Sequence, residues 1–101
     1  MTTKILLACA AGFSSSMLVE RMKAYADQEQ LDVFIDAVYE ESINKIIDQA
    51  DILLLGPQIN HMEKMLQEKY KNHKVKISVI DSMDYGLMDG KKVLEKALKI
   101  K

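Results

Sequence analysis

Two short, unbroken apolar runs constrain the architecture most: Ile5-Leu6-Leu7-Ala8 and Ile52-Leu53-Leu54-Leu55. Runs of this length are too short for a buried helix, and their lack of alternation means that both faces are covered. That is the pattern of a central parallel strand, and parallel neighbours need a crossover between them. Helical periodicity stands where the crossovers require it. Leu18, Met22, Tyr25 and Ala26 mark the buried stripe of a first helix over 15–28. Residues 31–38 alternate, with Val33, Ile35 and Ala37 against Asp32, Phe34 and Asp36, as a half-exposed edge strand does. Ile43, Ile46 and Ile47 predict a second helix over 39–48, with Glu40 and Glu41 at the positive end of its dipole. Gly56-Pro57 ends the second apolar run, because proline cannot donate to the ladder. Ile59, Met62, Leu66 and Tyr70 predict a third helix over 59–70, and Val75, Ile77, Val79 and Ile80 a fourth strand. Residues 81–90 are turn formers and predict a loop, after which Asp89 caps a final helix with Val93, Leu94, Ala97 and Leu98 inward.

Strands alternating with helices give an α/β fold: a single domain over 1–101, in three layers, with helices on both faces of a four-stranded parallel sheet. The two most apolar strands belong innermost, so the expected strand order is 2-1-3-4. That order reverses the chain direction beside strand one and opens a crevice at the carboxyl ends of strands one and three. Cys9 is expected at the mouth of that crevice.

From Cys9 the chain passes through Ala10, Ala11, Gly12, Phe13, Ser14, Ser15 and Ser16 into the first helix. The first turn of a helix leaves backbone N–H groups unpaired and carries a partial positive charge. Small residues keep no bulk between an anion and those amides, so the loop suits a phosphate-sized dianion. Gly12 permits a positive φ where the loop curls. The serine hydroxyls add donors, and one of them is a candidate N-cap. The same field favours thiolate over thiol, which makes Cys9 a nucleophile inside an oxyanion cradle. A cysteine at a strand end is also, by itself, the mark of a small buried hydrophobe, and a serine cluster after glycine is also an ordinary helix cap. On the residues alone both readings stand.

The remaining composition narrows the classes. Fourteen basic and fifteen acidic side chains are interspersed, which favours neither nucleic acid nor an anionic membrane. A lone cysteine excludes an internal disulfide, a CxxC pair and a cysteine-based zinc site; no metal and no cofactor are expected. A reactive thiol fits a reducing cytosol. No signal pattern opens the sequence and no apolar run approaches the roughly 20 residues of a membrane span. A soluble, cytoplasmic protein is therefore expected, and any role in transport needs a membrane partner on another chain. The seven methionines read as core, His73 as a solvent residue, and His61 as a surface residue of the third helix in preference to a proton shuttle at the crevice. Gln58 and Asn60 belong to a loop bordering the crevice. Asp81 and Asp84 follow the fourth strand, where turn formation explains them; a general acid there pays Coulomb energy beside a phosphate.

The loop from Cys9 to Ser16, together with Leu54-Leu55-Gly56-Pro57-Gln58-Ile59, Val79-Ile80-Asp81-Ser82, Tyr85-Gly86 and Asp89-Gly90, resembles enzyme IIB of the lactose/cellobiose type, from the bacterial sugar phosphotransferase system. The resemblance runs over essentially the whole chain, in order. It implies that Cys9 accepts a phosphoryl group from a phosphohistidine on the IIA protein. The group then passes to a sugar held by the membrane-embedded IIC transporter, a β-glucoside or disaccharide such as cellobiose, chitobiose or lactose. It further implies that the backbone from Ala10 to Ser16 holds the phosphate, and that the protein visits the inner face of the membrane through IIC.

Two alternatives come from other classes. A low-molecular-weight protein tyrosine phosphatase has a similar fold and a cysteine loop, but places an arginine six residues after the cysteine. The corresponding residue here is Ser15, and the only arginine is Arg21. Without a guanidinium fork on the transferring group, a phosphocysteine should persist, as a carrier requires. The other alternative is a non-catalytic anion-binding domain, which would tolerate loss of the sulfur.

Overall fold

A computed structural model of the chain describes residues 2–9 and 13–100, with side chains omitted for 13–15. Strand β1 (Thr3–Cys9) is buried at every residue except Lys4. It pairs in parallel with β2 (Val33–Tyr39) from Thr3–Val33 to Cys9–Tyr39, and with β3 (Ile52–Leu55) from Ile5–Ile52 to Ala8–Leu55. Strand β4 (Lys76–Val79) completes the sheet beside β3, in the expected order β2-β1-β3-β4. β2 alternates as predicted, with Ile35 buried and Phe34 and Asp36 exposed, because one of its edges and part of one face meet water.

The period of two in β1 and β3 divides the core between the faces of the sheet. Ile5, Leu7, Ile52 and Leu54 point to one side. There they meet Leu18, Val19, Met22 and Ala26 of α1 (Phe13–Gln28), and Val93, Leu94 and Ala97 of α5 (Gly90–Ile100). Leu6, Ala8, Leu53 and Leu55 point to the other. Their partners include Ile43 of α2 (Ile43–Ile46), Ile59, and Leu66 of α3 (Glu63–Lys69). Each large apolar side chain closed in this way contributes roughly 1.5–3 kcal/mol relative to exposure.

Four expectations need correction. The second crossover is not one α-helix: α2 has a single turn, flanked by 3-10 turns at Glu40–Ser42 and Ile47–Gln49. Ile43 and Ile47 still fill the sheet face, so burial rather than helix propensity places them. The third helix likewise starts later, at Glu63, after a 3-10 stretch Pro57–Met62 in which Ile59 leaves helical geometry (φ −118°, ψ 29°) and drops into the core. Residues 81–90 are not a loop throughout, since α4 (Ser82–Gly86) forms there. Its cause is Asp81, whose Oδ1 accepts from Met83 N at 2.9 Å and from Asp84 N at 3.2 Å. Finally, the methionines are not uniformly core: Met22 is buried, but Met17, Met65 and Met83 are exposed. Helical spacing alone does not say which side of a helix meets the sheet. His73, read as a solvent residue, is exposed but lies 3.2 Å from an Asp48 carboxylate oxygen and edge-on to the Tyr70 ring. The predicted cap of α5 is present, with Asp89 Oδ1 accepting from Lys92 N at 3.1 Å.

The Asp81 cap carries a pH signature. Hydrogen bonds from the Asp84 and Met83 amides, with a smaller contribution from Lys96, hold its carboxyl below the ordinary aspartate value of 3.8. A carboxyl lowered in the folded state stabilises the fold above its unfolded value, and that contribution is lost as pH falls through the folded value. Asp81→Ala should therefore lower the urea midpoint at pH 7, and the gap to wild type should shrink below about pH 4. A gap that stays constant down to pH 2 would refute the cap as its source.

Candidate active site

β1 delivers Cys9 to the carboxyl edge of the sheet, at its last paired position, opposite Tyr39. The ladder continues just beyond β3: Gly56 N donates to Ala8 O at 2.9 Å, and Ile80 N donates to Leu55 O at 2.9 Å. Gly56 is thus locked beside Cys9. A Cβ at Gly56 would lie 3.2 Å from Cys9 Cβ and 2.6 Å from Gln58 Oε1. Its φ of −61° is open to any residue, so what a side chain here would meet is crowding, from the movable Gln58 carboxamide and from Cys9 Cβ, not conformational strain. Cys9 is 2 % exposed, not at an open mouth as the sequence suggested. It sits on an inner strand with neighbours on both sides, and the Gly56 backbone closes against it.

α1 begins at Phe13, four positions after Cys9 and two earlier than expected. Ser14, Ser15 and Ser16 therefore lie inside its first turn and cannot be the N-cap. The backbone amides of Ser14 and Ser15 belong instead to the helix end that has no intrahelical acceptors. Ser16 is exposed. Ala10, Ala11 and Gly12, the centre of the predicted cradle, lie outside the described residues, as do the side chains of Phe13, Ser14 and Ser15.

The other candidates separate. Asp84 is buried, and its Oδ2 is 2.7 Å from Lys96 Nζ, so its carboxylate is engaged in an ion pair with α5. The pairing raises the Lys96 ammonium above its ordinary 10.5, chiefly through that hydrogen bond. Asp81 is occupied as the cap of α4 and is held ionised, which leaves it no proton to donate near neutrality. Both carboxylates line a cleft of about 240 Å³ between β4 and α5, with Ser78, Val93 and Lys96; Cys9 is not in its wall. His61 is exposed on the 3-10 stretch. Among the described residues, Gln58, left open by sequence reasoning, comes near the cysteine, its Oε1 lying 2.6 Å and Cys9 Cβ 3.2 Å from the same point over Gly56. The signal was the strand order itself, which sets the residues after β3 against the end of β1. Among the described residues no group of three or more His, Cys, Asp or Glu side chains could hold a metal ion, and no helix is long and apolar enough to cross a membrane.

Residues 4–96 match the family model for the lactose/cellobiose-specific IIB subunit of the PTS system. The chain belongs to this family. This IIB subunit is thus a component of a sugar phosphotransferase system. It is 40 % identical over 97 residues to the PTS system oligo-beta-mannoside-specific EIIB component of Bacillus subtilis (strain 168), covering 96 % of this chain and 94 % of that protein. It is 39 % identical over 98 residues to the cellobiose-specific EIIB component of Lactococcus lactis subsp. lactis (strain IL1403), covering 92 % and 91 %. The solution structure of the cellobiose-specific IIB component from Borrelia burgdorferi superposes with a TM-score of 0.81 at 38 % identity, over 99 % of this chain and 92 % of that one. The lactose-specific IIB domain from Streptococcus pneumoniae superposes with a TM-score of 0.90 over 99 % and 98 %; at 19 % identity that likeness is one of fold.

Proposed function

We propose that this IIB subunit carries a phosphoryl group on Cys9 Sγ, taken from a phosphohistidine of IIA and given to a sugar bound by the IIC transporter. In the first step the thiolate attacks phosphorus. The S–P bond forms as the P–N bond breaks, and the electron pair returns to the imidazole nitrogen. In the second step a sugar hydroxyl oxygen attacks, its proton goes to water, and the thiolate leaves. The amides from Ala10 to Ser16 hold the equatorial oxygens in both steps. The substrate is a β-glucoside or related disaccharide, and transfer takes place in the cytoplasm at the inner face of the membrane.

The observation that carries this reading is the placement of Cys9 at the end of a central strand, four residues before the amino end of a sixteen-residue helix. β2, β3 and Gly56 occupy its flanks, so a donor approaches from the carboxyl edge of the sheet. Tyr39 at the end of β2, Met83 after β4 and Met17 in the first turns of α1, all exposed, suit a transient protein contact. Carrier chemistry is favoured over hydrolysis by the position of Arg21. It lies eight residues into α1, about 12 Å along the axis, with its backbone against Gly90. A fork that steadies a hydrolytic transition state is therefore absent from the start of the helix.

Intact-mass analysis after mixing with phosphorylated IIA tests the reading: one added phosphoryl group is expected per chain. Incubation with an aryl phosphate should release no more than about one equivalent of phenol. Steady turnover would mean a phosphatase, and no gain in mass would remove the carrier assignment.

A further inference from the structure

Gln58 is exposed as a residue, and its side-chain oxygen lies over the bare backbone of Gly56. Its Oε1 lies 2.6 Å from the point a Gly56 Cβ would occupy, and Cys9 Cβ lies 3.2 Å from the same point. The amide oxygen and the cysteine are thus separated by no more than the sum of those distances. Their closeness depends on the missing side chain of Gly56. Folding a long polar side chain against backbone costs rotamer freedom. Here no hydrogen bond within the described residues accounts for that cost, since the carboxamide has no such partner among them. Pro57 sets the φ of the turn that aims it, and Ile59 anchors the far side in the core.

We infer that Gln58 is a catalytic residue whose carboxamide N–H donates to an oxygen of the phosphoryl group on Cys9. The inference rests on the carrier reading above. Rotation about the last side-chain bond presents Nε2 in place of Oε1, so the same pose supplies a donor once an anion is present. The amide neither gains nor loses a proton in the transfer. It also adds no charge, unlike an arginine, so it steadies the phosphoryl group without the strong pull that promotes attack by water. The amino end of α1 follows Cys9 in the chain, whereas Gln58 approaches from the β3 side. Together they would leave the in-line direction open to donor and acceptor.

The test measures two quantities on wild type, Gln58→Ala and Gln58→Glu: the single-turnover rate of loading from phosphorylated IIA, and the pH midpoint of the phosphocysteine ³¹P shift. Loss of a hydrogen bond to a charged group should slow loading about tenfold to a hundredfold in Gln58→Ala. The ³¹P midpoint should move to higher pH, because the dianion has lost a donor. Gln58→Glu, the same shape with a like charge, should move both further in the same direction. Slower loading with an unmoved midpoint would assign Gln58 to docking and overturn the inference, as would rates within twofold of wild type. Wild type that loads normally keeps the carrier reading in either case. Wild type that never loads ends both.

Discussion

Cys9→Ser gains no mass from phosphorylated IIA and keeps the wild-type fold: that is the expected result, and the effect is all or none. The hydroxyl occupies the place of the thiol at the end of β1, but it stays protonated at neutral pH and so lacks the anionic nucleophile. The substituted residue remains in a slot bounded by Tyr39 and Gly56, so the exchange of one small side chain for another should cost on the order of 1 kcal/mol. Circular dichroism and the thermal midpoint check the second half of the statement. A serine variant that still carries phosphate would move the acceptor away from residue 9. It would leave the fold and the family membership untouched, since neither depends on the sulfur.

Gly90→Ala is the substitution within the fold expected to cost most. By helix propensity alone alanine is better than glycine by up to about 1 kcal/mol, and Gly90 has no positive φ to protect. Packing opposes it. A Cβ there would lie 2.6 Å from Arg21 C, 2.6 Å from Met22 N and 2.8 Å from Arg21 Cβ. The first two are backbone atoms and cannot rotate aside, so α5 has to lift away from α1. That loosens Val93, Leu94 and Ala97 against Leu18, Val19 and Met22, the contact that closes one face of the sheet. The net loss should be about 1–3 kcal/mol, or roughly 4–8 °C in Tm for each kcal/mol at this chain length. Gly86→Ala is the control: a Cβ at Gly86 meets nothing within 4 Å, so stability should hold or rise slightly. Equal Tm values for Gly90→Ala and wild type would show that the two helices do not meet this closely.

Local pattern was enough for the sheet. Ile5–Ala8 and Ile52–Leu55 read as inner strands because burial on both faces leaves an unbroken apolar run, and the order β2-β1-β3-β4 followed from their rank in apolarity. It was enough also for Cys9 at a strand end, for the core positions of α1 and α5, and for the Asp89 cap, since each depends on residues close together in sequence. Packing between distant segments settled the remainder. The crowding of Cys9 by Gly56 and the approach of Gln58 over the bare Gly56 backbone join residues far apart in sequence. The commitment of Asp84 to Lys96 depends on how α4 and α5 meet. Each pairs residues from separate elements at distances that no periodicity encodes, which is why strands and stripes were legible in the chain and the surroundings of the cysteine were not.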